Sequence, residues 1–118
     1  MRQWLRSFGF AWQGIRSGIR QEAHLKFHLA ATLAALAMGF LLSIGRIEWL
    51  ILLILIGLVW IAELFNTALE VLSNKVEINH DPQIKLVKDL AAGSVLIAAL
   101  IALVGGILLF SPYICAWI

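Results

Sequence analysis

The chain alternates long apolar stretches with short clusters of charge, and that alternation outlines four helices. Over residues 1–21, Trp4, Phe8, Ala11, Trp12, Ile15 and Ile19 recur at three- to four-residue spacing, while Arg2, Arg6, Gln13, Arg16 and Arg20 lie mostly on other faces. This is the period of an amphipathic helix. Its basic flanks and tryptophan-bearing apolar side suit a helix lying in the headgroup layer of a membrane. Three longer runs follow at 27–45, 49–72 and 86–110, the last uncharged from residue 90 onward. Each has roughly the 20 residues needed to cross about 30 Å of hydrocarbon as a helix. The break Ile-Gly-Arg-Ile-Glu at 44–48 leaves room only for a tight turn between two antiparallel helices. Residues 73–85 form the one substantial polar segment and are expected to be a loop, punctuated by Asp81-Pro82.

Composition agrees with this pattern. Of 118 residues, 62% are hydrophobic and 14% charged, against about 45–50% and about 25% in soluble domains. So short a chain has too much surface to hide that excess inside itself, so lipid must serve as part of its solvent. Cys115 is alone, which rules out an intrachain disulfide or a cysteine-based metal site. Arginines scattered through the first 26 residues, without a compact apolar core, are unlike a cleaved leader. No repeat or linker divides the chain, so residues 1–118 read as one domain. In a three-span arrangement Arg2, Arg6, Arg16, Arg20, Lys26, Lys75, Lys85 and Lys88 fall on one side and Arg46 alone on the other. The positive-inside rule then predicts a cytoplasmic N-terminus, a cytoplasmic 73–85 segment and an outer C-terminus. Trp49, Tyr113 and Trp117 are expected as interfacial anchors on the outer face. The fold class is thus an all-α integral membrane protein: an N-terminal surface helix plus three transmembrane helices.

Against this background the polar residues inside the spans stand out. Glu63 lies fourteen residues from Trp49, about 21 Å along a helix and about 9 Å short of the cytoplasmic edge of the hydrocarbon. A carboxylate at that depth costs a few kcal/mol unless it is paired, which makes it a functional-site candidate. Asn66 and Glu70, three and seven residues on, fall at about −60° and −20° from it on a helical wheel, so the three share one face. Asn74 falls near the same stripe. Glu22 stands before the first span, and Lys88 and Asp89 stand before the third, ahead of the small residues Ala91, Ala92, Gly93 and Ser94 that allow close helix packing.

A rim cluster of Glu22, Glu63, Glu70, Asp89, Asn66 and Lys88 follows. Its oxygen donors suit Mg²⁺ with phosphate oxygens completing the shell. Taken singly, Glu22, Glu70 and Asp89 read as solvated helix-end charges and Lys88 as a snorkelling anchor. His24 and His28 read as interfacial or packing residues rather than metal ligands. No soluble nucleotide-binding motif is present, and no nucleic-acid partner is expected.

Three stretches carry a family resemblance. Glu-Leu-Phe-Asn-Thr-Ala-Leu-Glu (63–70), Lys-Asp-Leu-Ala-Ala-Gly-Ser-Val (88–95) and Gly-Phe-Ala-Trp-Gln-Gly-Ile-Arg-Ser-Gly-Ile-Arg-Gln-Glu (9–22) resemble, in order and spacing, the prokaryotic diacylglycerol kinase/undecaprenol kinase family. The resemblance covers essentially the whole chain. It implies a homotrimer with active sites shared between neighbouring subunits, in a bacterial inner membrane, using cytosolic MgATP to phosphorylate the hydroxyl of a membrane lipid. It further implies that Glu63 is the general base, that Glu22 and Glu70 hold Mg²⁺ and that Asn66 orients the site. Lys88, Asp89 and Arg16 would meet the nucleotide.

The spacing from Glu22 to His28 and the 88–95 motif resemble the undecaprenol branch more than the diacylglycerol branch. Undecaprenol is therefore the expected acceptor, with diacylglycerol the alternative. That branch often has His before the loop proline; here Asp81 stands there, with His80 one place earlier. From a different class, an ion- or proton-translocating subunit with Glu63 as carrier remains an alternative on the residues alone. A non-catalytic membrane anchor is a third reading, although it would not require the acidic stripe.

Overall fold

The computed structural model describes residues 2–76 and 81–118, and His80 lies outside the described residues. The described residues form four helices: α1 (Arg2–Gln21), α2 (Ala23–Leu41), α3 (Arg46–Val76) and α4 (Pro82–Trp117). Helices α2, α3 and α4 are each long and apolar enough to cross a membrane, as the pattern predicts. Helix α1 buries no residue, and leaves Trp4, Leu5, Phe8, Phe10 and Trp12 exposed along an otherwise basic helix. That is the surface character expected of an interfacial helix.

The helix ends differ from the expected ones, for local reasons. The first span ends at Leu41 and not near residue 45. Ser43 adopts a left-handed φ of 52°. Its N–H donates to the Phe40 carbonyl at 3.2 Å, and the Ile44 N–H donates to the Gly39 carbonyl at 3.2 Å. These two bonds form a Schellman cap with serine in the position glycine usually takes. The next helix starts at once at Arg46, so the tight turn occupies 42–45.

At the other end of the molecule, most of the segment expected to be a loop over 73–85 is helical, because α3 runs on to Val76 and α4 begins at Pro82. Asp81 and Pro82 do more than interrupt a loop. The Asp81 carboxylate accepts from the Gln83 N–H at 2.8 Å as an N-cap, and Pro82 sits where a helix needs no N–H. Helices of 31 and 36 residues reach about 46 and 54 Å, well past a hydrocarbon core of about 30 Å. The rim residues therefore stand on rigid helical extensions.

Helix α3 packs chiefly on α4, antiparallel, and makes a smaller contact with α2, while α2 and α4 do not approach each other. At the turn end, Ile44, Leu52, Leu109 and Phe110 form the apolar core, with Trp49 and Tyr113 packed against it. Trp49 is half-buried, and its ring lies 4.7 Å from that of Phe40. Tyr113 is likewise half-buried, its hydroxyl donating to Glu48 Oε1 at 2.6 Å. Trp117 alone of the three stays exposed. In the 91–94 stretch Ala91 is buried, whereas a side chain at Gly93 would meet open space.

Candidate functional site

Helices α2 and α3 run antiparallel from the 42–45 turn, and this sets the register that builds the site. Glu63 comes to the level of His28, Thr67 to that of His24, and Trp60 to that of Thr32. Glu63 is 5% exposed. Its Oε1 lies 2.7 Å from His28 Nε2 and its Oε2 lies 3.7 Å from His24 Nε2. The same His24 nitrogen stands 3.1 Å from Thr67 Oγ1. The Nδ1 of His24 is 3.8 Å from Glu22 Oε2, where the chain passes from α1 to α2. A carboxylate inside an apolar helix needs a partner, and here imidazoles from the neighbouring helix supply it.

Along α3 the expected stripe is present. Asn66 is buried, and its Nδ2 donates to Glu70 Oε1 at 3.4 Å. Asn66 Oδ1 is buried and has no hydrogen-bond partner. Glu70 is half-buried. On the α4 side, Lys88 Nζ donates to Asn74 Oδ1 at 2.8 Å, which links α3 to α4 near the rim. Asp89 is exposed and accepts from Lys85 one helical turn earlier at 2.7 Å. Arg16 stands exposed on α1.

The protomer thus brings Glu63 together with Glu22 through His24, and Asn66 together with Glu70. Lys88 and Asp89 have separate partners of their own. Among the described residues no three His, Cys, Asp or Glu side chains converge into a metal-holding group. The histidine pair, read from the sequence as interfacial or packing residues, flanks Glu63 instead. Pairing across the turn was the available signal: the first span carries only His28, Thr32 and Ser43 as polar residues, so a buried acid on the second span had few partners.

Because α2 and α4 splay apart, an apolar groove of about 340 Å³ opens between them over α3. His28, Thr32 and Trp60 line one end and Leu52 and Phe110 the other. The Trp60 indole N–H donates to Thr32 Oγ1 at 2.7 Å, which satisfies its one polar atom. The groove therefore runs along the spans from His28, the partner of the buried Glu63 carboxylate, with walls that match a hydrocarbon chain.

Residues 9–110 match the family described as prokaryotic diacylglycerol kinase. The chain is 39% identical over 112 residues to an undecaprenol kinase of Bacillus subtilis, spanning 95% of this chain and 91% of the relative. It is 37% identical over 108 residues to a diacylglycerol kinase of Synechocystis, spanning 90% of this chain and 62% of that longer protein. With a diacylglycerol kinase of Escherichia coli it shares 27% identity over 100 residues, or 85% of this chain and 82% of the relative. A match of this extent, on a scaffold of three membrane-length helices, places the chain in the prokaryotic diacylglycerol kinase family and makes it a lipid kinase.

Proposed function

We propose that the protein transfers the γ-phosphoryl group of MgATP to the hydroxyl of undecaprenol, at the cytoplasmic face of a bacterial inner membrane. The observation that carries this reading is the buried Glu63 paired to His28, an imidazole of its own protomer that lines one end of an apolar groove. An alcohol whose chain occupies the groove arrives beside a carboxylate, while nucleotide reaches the rim from water. Phosphoryl transfer asks mainly for positioning and charge neutralisation. Glu63 accepts the hydroxyl proton as the lipid oxygen bonds to the γ-phosphorus, the bond from that phosphorus to the ADP oxygen breaks, and ADP leaves.

Mg²⁺, when bound with the triphosphate, would supply charge neutralisation. Glu22 and Glu70 would hold the ion. The unpartnered Oδ1 of Asn66 beside Glu70 fits an all-oxygen environment of this kind. Lys88 balances phosphate charge, and Asp89 and Arg16 meet the nucleotide. The Lys88–Asn74 and Lys85–Asp89 contacts are made by exposed groups, so exchanging these two for nucleotide costs little.

A homotrimer with shared sites accounts for three features of the protomer. Among the described residues acidic donors do not converge within one chain, α2 and α4 stand apart, and many large apolar side chains remain uncovered on the spans. Undecaprenol is favoured over diacylglycerol by the higher identity and fuller coverage of the Bacillus subtilis relative compared with that of Escherichia coli. The 37% identity to the Synechocystis protein keeps diacylglycerol as the alternative acceptor.

Purified protein in mixed micelles, given labelled ATP, Mg²⁺ and either lipid, tests the reading. Faster labelling of undecaprenol supports it, and faster labelling of diacylglycerol transfers the assignment to the alternative. Labelling that persists in full after chelation of Mg²⁺ would remove the metal from the proposal.

A further inference from the structure

We infer that His28 is the positioning residue for Glu63: it holds Oε1, and so leaves Oε2 as the oxygen that accepts the lipid hydroxyl proton. The inference rests on the reading of Glu63 as the base. Its starting point is the unequal company of the two carboxylate oxygens. His28 Nε2 is 2.7 Å from Oε1, whereas His24 Nε2 is 3.7 Å from Oε2. Only the first is a hydrogen bond; the His24 nitrogen is within bonding distance of Thr67 Oγ1 instead. One carboxylate oxygen is therefore committed and the other is not.

The imidazole that commits Oε1 is itself held in place. Its side chain is 19% exposed. Its ring meets that of Phe27 edge-on at 5.5 Å. One turn along, Thr32 Oγ1 donates to the His28 carbonyl and accepts from the Trp60 indole, each at 2.7 Å. This second polar link joins α2 to α3 three residues before Glu63 and fixes the distance between the helices. His28, Thr32 and Trp60 all line the end of the apolar groove. A lipid lying there would bring its hydroxyl to the level of the carboxylate that His28 orients.

A base must stand within about 2.6–3.2 Å of the proton it takes, and a misplacement of about 1 Å costs on the order of 10²-fold in rate. A glutamate on a long, flexible side chain keeps such a geometry only if something else fixes its rotamer. An Nε2–H donor at His28 does so, and glutamine, of similar reach, can supply the same N–H. Methionine fills the space without a donor.

The experiment measures kcat and KM for MgATP with undecaprenol in mixed micelles, for His28→Gln and His28→Met, each alone and combined with Glu63→Gln. Rates are normalised to the correctly assembled fraction from gel filtration, so that misfolding is separated from lost chemistry. His28→Met is expected to lose about 10²-fold in kcat, with KM for MgATP changed by less than about two-fold. His28→Gln should recover most of that loss. In the Glu63→Gln background neither substitution should lower the residual rate further, because the two residues act as one unit.

Wild-type kcat in His28→Met, or equal losses in His28→Met and His28→Gln, would overturn the inference. So would a full additional loss in the Glu63→Gln background. Wild-type kcat in Glu63→Gln alone would instead remove Glu63 as the base, a separate failure with its own signature.

Discussion

Helix α3 carries a carboxylate near each end of its membrane-length section, and Glu48 and Glu63 live in different surroundings. Glu48 sits beside the apolar cluster of Ile44, Leu52, Leu109 and Phe110, with Trp49 lying over Gly39. Its Oε1 receives the Tyr113 hydroxyl, and its Oε2 is buried without a partner. Glu63, about 22 Å further along the helix, has little apolar core around it; the buried residues at its end include Asn66, Ser73 and Leu25. There α2 and α3 are joined by imidazole, hydroxyl and indole contacts.

At the turn end, then, oily packing fixes the helices and one polar link between α3 and α4 adds to it. At the lysine- and arginine-rich end polar links do the joining, and Asn66 Oδ1 there is buried without a hydrogen-bond partner. Packing sets the frame at one end, and the proposed chemistry falls at the other.

The largest expected difference between the two ends is in turnover. Glu63→Gln should lower lipid phosphorylation by about 10³-fold, within the range removed with a general base. Glu48→Gln should leave kcat within about two-fold, since phosphoryl transfer depends on groups at the reacting centre. Phosphate transfer from labelled ATP in mixed micelles checks both. A Glu48→Gln loss as deep as that of Glu63→Gln would dissolve the distinction.

Stability should show the opposite order. A Cβ on Gly39 would lie 2.7 Å from Trp49 Cη2, on a ring wedged among Phe40 and the turn core. Gly39→Ala should therefore cost about 2–3 kcal/mol, the scale of overpacking in a tight interior. Gly105 makes an equally close approach, 2.7 Å to Leu55 Cδ1. That atom ends a flexible side chain which can turn aside, so Gly105→Ala should cost about 1 kcal/mol or less. Thermal unfolding in detergent separates the two, and equal losses would mean that the turn core is no stiffer than the middle of the α3–α4 contact.

Much of this was legible in the sequence, and unequally so at the two ends. The three spans follow from hydropathy, and the Glu63, Asn66 and Glu70 stripe follows from helical spacing alone, because both are properties of one helix. The partners of Glu63 were not legible in that way, since they come from a second helix and depend on where the turn falls. The turn expected over 44–48 forms over 42–45, with Ser43 in the left-handed position. Asp81-Pro82 was noticed as a break, but its capping chemistry, an acid followed by proline, also announced the start of α4. Tyr113 and Trp49 read as interfacial anchors by residue type, and their contacts with Glu48 and Phe40 were not legible, because those depend on how the helices pack.

Two smaller effects sharpen the account of the turn end. Tyr113→Phe leaves Glu48 with both oxygens unsatisfied, and should cost about 1–2 kcal/mol with turnover unchanged. A loss of activity in that variant would tie the outer link to the site after all.

The smallest effect is expected at Ser43, and it should be favourable. A non-glycine residue in the left-handed region carries about 1–2 kcal/mol of strain, whereas glycine adopts it freely but gives up more entropy on folding, about 0.4–1 kcal/mol. Ser43 combines a φ of 52° with an exposed side chain, so little is lost with its hydroxymethyl group. Ser43→Gly should leave the cap bonds to Phe40 and Gly39 in place and raise stability by about 0.5 kcal/mol, read as a higher unfolding temperature at unchanged kcat. A lower unfolding temperature would mean that the turn is held by the serine side chain and not by the backbone geometry of the cap.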